Sequence, residues 1–342
     1  MTVRIAINGY GRIGRCFLRA LYESPRRDQW QVVAINEPAD LASIEYLTRF
    51  DSTHGRFPGV VDVAEGALRI DGEPIVVTHA TRPEDVDWAA LGIDVLVECS
   101  GRYGTREDLT RFIQAGCPRV LLSQPGQSAE AVDATTVFGV NHDDLKGTET
   151  IVSNASCTTN AVVPVLGLLD AAFGVDHALL TTLHSVMNDQ PLIDGYHDKD
   201  LRRTRSAMQS IIPVATGLAR GVERLLPQLT GRVQAKAIRV PTLNVSAIEL
   251  TLTLHQPVDT QRLNRLVADA AHGRFANLLA YTEQAHASID FNHDPHSAVI
   301  DGGQTLVSGD RLATMLLWFD NEWGFASRMV DVLSHWHPRW QH

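Results

Sequence analysis

The chain has 342 residues, of which 44% are hydrophobic, and its 30 Lys and Arg against 40 Asp and Glu give a formal net charge of −10. This length allows a sizeable core and predicts two domains, since domains average about 100–200 residues. The negative charge argues against binding to nucleic acid or an anionic membrane surface. Four cysteines do not form the dense disulfide framework of a small secreted protein, and no apolar run approaches the roughly 20 residues that span a bilayer. We therefore expect a cytoplasmic protein with reduced thiols and without a nucleic-acid or membrane partner.

The first part of the chain predicts a mainly parallel sheet. Val3–Asn8 is typical of a short buried strand, and a glycine-bearing turn and helical apolar spacing over residues 16–24 follow it. Further strand-like runs occupy residues 31–36, 94–99 and 119–123. Strands that alternate with helices favour parallel pairing through crossover connections.

After about residue 152 the pattern changes to an α+β arrangement. Strand-like runs occupy residues 234–240, 247–255 and 315–320, and residues 259–273 have helical spacing. Residues 184–210 are polar and charged, which predicts an ordered loop. The chain therefore indicates two domains with different sheets.

A glycine-rich turn joins the first strand to the first helix. Gly9, Gly11 and Gly14 match G-x-G-x-x-G in this context. Small residues let the backbone approach a pyrophosphate, and the free N–H groups and positive dipole end of the helix attract it. Glu37 ends the second strand, where a carboxylate can accept hydrogen bonds from ribose hydroxyls and would repel a 2′-phosphate. The pattern predicts a Rossmann-type domain that binds NAD rather than NADP.

Cys157 lies directly before an apolar helical run at residues 161–169. Small and capping residues around it predict that a helix begins there. Free N–H groups at a helix N-terminus stabilise a thiolate, and a nearby histidine lowers the thiol pKa further. An isolated cysteine is more often a small buried apolar residue, so the residues alone leave both interpretations open.

Ser156-Cys157-Thr158-Thr159-Asn160 resembles the nucleophile motif of the glyceraldehyde-3-phosphate dehydrogenase family. INGYGRIGR, TTLHS, IIPVATG, RVPTLNVS and WFDNEWGF occur in the family's order, so the resemblance covers essentially the whole chain. It implies that Cys157 is the nucleophile and His184 its base. It also implies a small phosphorylated aldehyde as substrate, NAD as cofactor, and a homotetramer in which the loop near residues 186–209 reaches a neighbouring subunit's cofactor.

The resemblance also implies the domains and the fold class. We expect an NAD-binding domain at residues 1–156, a catalytic domain at 157–320, and a C-terminal segment, 321–342, that returns to the first domain. The expected fold is α/β: an N-terminal Rossmann-type parallel sheet, and an α+β catalytic domain with a mixed or antiparallel sheet.

The same resemblance assigns the ligand contacts. The implied cofactor contacts are Gly9, Gly11, Arg12, Ile13, Gly14, Glu37, Thr81, Ser123 and Asn321, of which Asn321 would hold the nicotinamide carboxamide. The implied contacts to the substrate phosphate or to an anion at the acyl site are Ser156, Thr158, Arg203, Thr216, Gly217 and Arg239. Thr81 departs from the family pattern, which usually has arginine there. His293 and His296 lack a third ligand motif, so we expect no metal site.

Some segments look more like the erythrose-4-phosphate dehydrogenase branch of the family: HSVMNDQ, DLRRTRSAMQSIIP and residues 290–302. Met187 stands where the glyceraldehyde enzyme usually has a phosphate-binding threonine, so a thioether replaces a hydroxyl donor. Lys199-Asp200 and Thr216-Gly217 instead resemble the glyceraldehyde enzyme.

We therefore expect NAD-dependent oxidation of D-erythrose 4-phosphate to 4-phospho-D-erythronate, through a Cys157 thiohemiacetal and a thioester that water releases. The resemblance places this reaction in pyridoxine biosynthesis. Two alternatives stay open: a phosphorylating glyceraldehyde-3-phosphate dehydrogenase and a non-catalytic NAD-binding protein.

Overall fold

The computed structural model describes residues 2–198 and 200–340, and the chain forms two compact units. The first unit comprises residues 1–156 and 326–342, and the second comprises residues 157–325. Lys199, one of the positions that resemble the glyceraldehyde enzyme, lies outside the described residues. Within the described ranges, no helix combines the length and the apolar character that crossing a membrane requires.

The elements are numbered in chain order. The helices are α1 (Arg12–Glu23), α2 (Leu41–Arg49), α3 (Arg106–Gln114), α4 (Cys157–Phe173), α5 (Leu218–Leu225), α6 (Thr260–His272) and α7 (Trp323–Trp336). The strands are β1 (Val3–Asn8), β2 (Trp30–Asn36), β3 (Phe50–Asp51), β4 (Gly55–Arg56), β5 (Val61–Ala64), β6 (Ala67–Ile70), β7 (Glu73–Thr78), β8 (Val95–Glu98), β9 (Val120–Leu122), β10 (Ala134–Thr135), β11 (Ile151–Ser153), β12 (Val175–His184), β13 (Ile212–Val214), β14 (Val233–Arg239), β15 (Ser246–Leu254), β16 (Leu279–Thr282), β17 (Ala298–Ser308) and β18 (Leu312–Phe319).

The main sheet of the first unit has the order β10-β11-β9-β8-β1-β2-β7-β6-β5 in the described part of the chain. The pairs from β10 to β7 are parallel, and β6 and β5 extend the sheet with antiparallel pairs. Ile5, Ile7, Val95 and Val97 are fully buried, as expected for parallel strands that are covered on both faces. The predicted Rossmann-type sheet is confirmed.

Helix α1 begins at Arg12, four residues before the start that apolar spacing predicts. Its buried side chains include Phe17, Leu18 and Leu21, which pack into the core. The first turn needs no apolar face, because its role is to present N–H groups at the helix N-terminus. Periodicity therefore detects only the part of the helix that packs.

The second unit contains a mixed sheet with the order β13-β14-β12-β15-β18-β17-β16 in its described residues. β12 pairs in parallel with β14 and antiparallel with β15, and β18 lies antiparallel to both β15 and β17. The expected mixed catalytic sheet is confirmed. The loop predicted after His184 is also confirmed, and its described residues include one turn of 3-10 helix at Leu201–Thr204.

The sequence pattern leaves several elements of the described chain unassigned, among them α2, α3, α5, β12, β13, β16 and β17. It does not predict the β5–β7 extension, whose strands are short and only partly buried. It also does not predict α7, which follows the conspicuous WFDNEWGF motif. Residues 321–325 belong to the second unit and residues 326–342 to the first, so the chain passes between the units within α7.

Candidate active site and dinucleotide site

The glycine turn of the first unit is shaped by close backbone approaches. Gly9 has a φ of +85°, and a Cβ atom there would lie 2.4 Å from the backbone nitrogen of Ser100. A Cβ atom at Gly14 would lie 2.3 Å from the carbonyl oxygen of Gly9. Around Gly11, by contrast, no described heavy atom comes within 4 Å of a Cβ position. Two glycines therefore allow tight packing, and Gly11 keeps the space in front of α1 open to a ligand.

A cavity of about 220 Å³ lies beside this turn, and Gly9, Gly11, Glu37 and Thr81 help to line it. The Glu37 carboxylate accepts hydrogen bonds from the backbone N–H groups of Tyr10 at 2.7 Å and Ala39 at 3.4 Å. These bonds hold the carboxylate at the cavity wall, where ribose hydroxyls can donate to it. The residues present fit a dinucleotide.

The remaining predicted cofactor residues of this unit differ in whether their position suits a contact to the dinucleotide. Arg12 and Ile13 open α1, so their backbone lies at the positive end of the helix, whereas the Arg12 side chain pairs with Asp51. Arg12 therefore fits an anion contact through its backbone rather than its guanidinium. Ser123 follows β9 and donates its backbone N–H to the Glu98 carbonyl at 3.0 Å. Ser123 is not among the described residues that line the cavity.

Cys157 is the first residue of α4. It follows Ala155, whose φ of +56° marks a strained turn into the helix. Burial raises the pKa of the Cys157 thiol to about 11, although the N–H groups of Thr158 and of Cys157 itself favour the thiolate. The net lowering of this pKa that the sequence predicts is therefore wrong, because desolvation outweighs the helix N-terminus.

His184 ends β12 and faces Cys157. Its Nε2 lies 3.9 Å from the cysteine Sγ, and its Nδ1 lies 2.8 Å from the carbonyl oxygen of Ser185. Because a carbonyl can only accept, Nδ1 carries the proton of the neutral ring and Nε2 directs a lone pair at the thiol. Burial lowers the pKa of His184. The resting pair is therefore a thiol and a neutral imidazole that is placed to act as general base.

Two predicted anion-binding arginines meet at one carboxylate. Arg203 contacts Asp189 at 2.9 Å, and Arg239 contacts it at 2.6 and 3.0 Å. The Arg239 side chain is only 5% exposed and also donates to the sulfur of Met187 at 3.5 Å. Arg239 is the register partner of His184 on β14, so this cluster lies beside the base.

Asp189 is not among the residues that the sequence motifs mark as functional. The signal that could have found it is a carboxylate within HSVMNDQ, two residues after Met187, in a loop expected to contain a phosphate-binding arginine. A carboxylate between two guanidinium groups fixes their separation and orientation.

The other predicted anion contacts lie at helix starts. Ser156 and Thr158 flank the nucleophile at the start of α4. Gly217 is the N-cap of α5, and the Thr216 hydroxyl oxygen accepts from the Leu218 N–H at 3.2 Å. The strand before them, β13, pairs with β14 so that Ile212 lies opposite Arg239. The helix starts supply N–H dipoles suited to an anion.

The Asn321 amide has a fixed orientation within the second unit. Its Oδ1 accepts from the hydroxyls of Ser185 at 2.9 Å and Ser246 at 2.8 Å. The preceding Asp320 is buried and accepts from the N–H groups of Glu322 and Trp323 at 2.9 and 2.8 Å. These contacts suit a residue that must present its amide nitrogen in one direction.

The side chains of His293 and His296 pack and hydrogen-bond with other residues of the second unit. The His293 ring stacks on Trp323 with centroids 3.6 Å apart, and His296 Nδ1 lies 2.7 Å from Asp294. In the first unit, His142, Asp143 and His335 approach one another. His142 Nδ1 accepts from the Gly139 N–H at 3.1 Å, so its Nε2, which faces Asp143, carries the ring proton and is a poor metal ligand.

Two family models match the chain. The glyceraldehyde 3-phosphate dehydrogenase NAD binding domain matches residues 3–106, and the glyceraldehyde 3-phosphate dehydrogenase C-terminal domain matches residues 156–321. The N-terminal part is therefore an NAD-binding domain, which confirms the predicted cofactor. The two domains together indicate an NAD-dependent dehydrogenase of phosphorylated aldehydes. The chain belongs to the glyceraldehyde 3-phosphate dehydrogenase family.

Proposed function

We propose that the protein oxidises D-erythrose 4-phosphate to 4-phospho-D-erythronate with NAD, and that water releases the acyl group. The observation that supports this most is the contact of Met187 with Arg239. A thioether sulfur accepts weakly and donates nothing, so a phosphate at Arg239 gains no hydroxyl donor from this position. The affinity of such a site for the shorter triose substrate and for inorganic phosphate is therefore lower.

The chemistry at Cys157 follows from the distance and orientation of His184 relative to the thiol. As the Cys157 sulfur attacks the aldehyde carbon, His184 Nε2 takes the thiol proton and returns it to the carbonyl oxygen, which gives a neutral thiohemiacetal. The hydrogen bond from Nδ1 to the Ser185 carbonyl stabilises the imidazolium that forms in between. The Cys157 backbone N–H, at the start of α4, can stabilise the oxyanion.

Oxidation then needs a hydride acceptor and a base. The glycine turn and Glu37 would hold NAD, whose nicotinamide would supply the acceptor for the hydride on the former aldehyde carbon. His184 takes the hydroxyl proton in the same step, and the carbon becomes the carbonyl of a thioester on Cys157. After His184 loses that proton to solvent, its Nε2 can activate water to release the acid and regenerate the thiol.

A paired-substrate assay tests the proposal. NADH formation is measured with erythrose 4-phosphate and with glyceraldehyde 3-phosphate, each with and without inorganic phosphate, and the product oxygen is traced with isotopically labelled water. We expect a preference for the tetrose, no requirement for phosphate, and label in the product carboxylate. A large preference for the triose with strict phosphate dependence would instead support the phosphorylating glyceraldehyde-3-phosphate dehydrogenase.

We also propose that the protein is a cytoplasmic homotetramer whose product feeds pyridoxine biosynthesis. The support for assembly is the loop that follows His184: Leu192, Ile193, Tyr196 and Leu201 are all at least 69% exposed. Contiguous exposed apolar side chains mark an interaction surface. Light scattering of the wild type should give the mass of four chains, and Ile193→Asp should give a lower mass. A monomeric wild type would contradict the proposed assembly.

A further inference from the structure

A row of polar side chains lies at the carboxyl edge of the parallel sheet in the first unit. Asn36, Asn8 and Glu98 are the last residues of β2, β1 and β8, and Asn8 is the register partner of both others. All three are buried, with exposures of 5%, 4% and 0%. Asn8 and Asn36 line the dinucleotide cavity, whereas Glu98 lies behind them.

The hydrogen bonds of this row have one direction. Asn8 donates its Nδ2 to the Glu98 carboxylate and accepts at Oδ1 from Asn36 Nδ2 at 2.7 Å. Asn36 in turn accepts at Oδ1 from the Thr78 hydroxyl at 2.8 Å and the Ala80 N–H at 2.9 Å. An amide can be turned either way, but a carboxylate can only accept. Glu98 therefore sets the orientation of the Asn8 amide, and the Ala80 backbone holds Asn36 from its other side, since its carbonyl also accepts from Asn36 Nδ2 at 3.1 Å.

The other carboxylate oxygen of Glu98 holds the opposite side of the cavity. It accepts from the backbone N–H of Ser100 at 2.7 Å and from the Ser100 hydroxyl. The same Ser100 backbone packs against Gly9, where it leaves no room for a Cβ atom. One buried carboxylate therefore links the glycine turn, through Ser100, to the Ala80 backbone, through the two amides.

We propose that Glu98 is a positioning residue of the NAD site: in its ionised form it fixes the amide of Asn8 and holds the Ser100 backbone against Gly9. This deepens the NAD-binding assignment and does not depend on which aldehyde is oxidised. The ionised carboxylate accepts all three donated bonds, and a protonated carboxyl accepts them more weakly. NAD affinity should therefore follow the ionisation of Glu98.

Burial raises the pKa of Glu98 to about 7, against the opposing hydrogen bonds from Ser100 and Asn8 and the charge of Arg102. We therefore expect NAD affinity to rise as pH increases through about 7. Other ionisable groups near the cavity are Cys99, Arg102 and Tyr103 on the loop after β8, and Glu37 and His79 on the opposite side. The substitution Glu98→Gln leaves all of these groups in place.

The test is NAD binding by calorimetry at pH values on both sides of neutrality, with wild type and Glu98→Gln. The glutamine can accept from Ser100, but its amide nitrogen then opposes Asn8 Nδ2. We expect about tenfold weaker NAD binding above neutral pH and loss of the pH dependence. At saturating NAD, kcat should change little, so the effect should appear in KM.

Asp331→Asn is the matched control. Asp331 is a partly buried carboxyl of the same unit, 35% exposed, whose pKa is also raised by burial, and it pairs with Arg328 within α7, away from the cavity lining. This variant removes the ion pair with Arg328 and should keep the NAD affinity and pH profile of the wild type. Equal loss of affinity in both variants would overturn the proposal, because the effect would then be general destabilisation.

Ser100→Ala keeps the carboxylate and gives a second measurement if Glu98→Gln fails to fold. Loss of the hydroxyl donor removes a bond that lowers the Glu98 pKa, so the midpoint of the affinity profile should move to higher pH, with about threefold weaker binding near neutrality. An unchanged midpoint, a flat wild-type profile or an affinity that falls with pH would each overturn the proposal.

Discussion

His184 Nε2 and Cys157 Sγ lie 3.9 Å apart, with the histidine at the end of β12 and the cysteine at the start of α4. Opposite pKa shifts accompany this contact: burial raises the pKa of the thiol and lowers that of the imidazole. Reactivity of Cys157 therefore depends on proton transfer to His184 during attack rather than on a preformed thiolate.

Alkylation of Cys157 should show this dependence in its pH profile. The rate should rise as His184 becomes neutral, below its ordinary pKa of 6.5, stay level through neutral pH, and rise again as the thiol ionises toward about 11. His184→Asn should lose the first rise and keep the second. Stopped-flow alkylation with ultraviolet detection of thiolate measures both, and a thiolate signal at neutral pH in the wild type would contradict the neutral pair.

Cys157→Ser separates catalysis from cofactor binding. The hydroxyl is a far weaker nucleophile than the thiol, so turnover should fall by about a thousandfold or more. NAD affinity should stay within about twofold of wild type, because the dinucleotide cavity belongs to the first unit. Retained dehydrogenase activity would refute Cys157 as nucleophile, and an inactive wild type that still binds NAD would favour the non-catalytic alternative.

Met187→Thr should shift the substrate preference. A hydroxyl at this position can donate to a phosphate held by Arg239, which is worth about tenfold in affinity when the acceptor is charged. We expect the ratio of kcat/KM for glyceraldehyde 3-phosphate over erythrose 4-phosphate to rise by about that factor. Met208→Thr is the control, because Met208 is exposed to a similar degree, 40% against 47%, in the same loop. The same shift in both variants would rule out a specific contact.

Arg239→Lys should weaken binding of the phosphorylated aldehyde more than Arg203→Lys does. Both arginines contact Asp189, but the Arg239 side chain is 5% exposed and that of Arg203 is 24% exposed. A lysine cannot reproduce the two-point contact of a buried guanidinium, so KM should rise about tenfold or more for Arg239→Lys. Equal KM values for the two variants would show that burial of Arg239 does not matter to the anion site.

Gly9→Ala tests the close approach of the glycine turn to Ser100. The new Cβ atom would meet the Ser100 backbone at 2.4 Å in addition to the strain of a positive φ. Gly66→Ala is the matched control, since Gly66 has a φ of +77° and open space around its Cβ position among the described atoms. We expect a loss of about 1 kcal/mol of unfolding free energy for Gly66→Ala and at least about 2 kcal/mol more for Gly9→Ala, measured by urea unfolding. Equal losses would mean that the turn relaxes away from Ser100.

Much of the first unit is predictable because its signals are local. A short apolar run, glycine spacing and the polar end of a strand depend on residues that are neighbours in the chain, so β1 has the predicted bounds and Glu37 reaches the cavity. The start of α1 is less predictable, because its first turn serves a ligand rather than the core. The resemblance supplies the roles of Cys157 and His184, which residue patterns alone leave open.

The sequence by itself determines the dinucleotide turn, the parallel sheet and the identity of the family. Only the tertiary structure decides the protonation state of the Cys157–His184 pair, the meeting of Arg203 and Arg239 at Asp189, and the link from Glu98 through Asn8 to Asn36. These features join residues that are between 14 and 90 positions apart in the chain. Desolvation and hydrogen-bond direction depend on which groups surround an atom in space, and periodicity along a chain does not encode that.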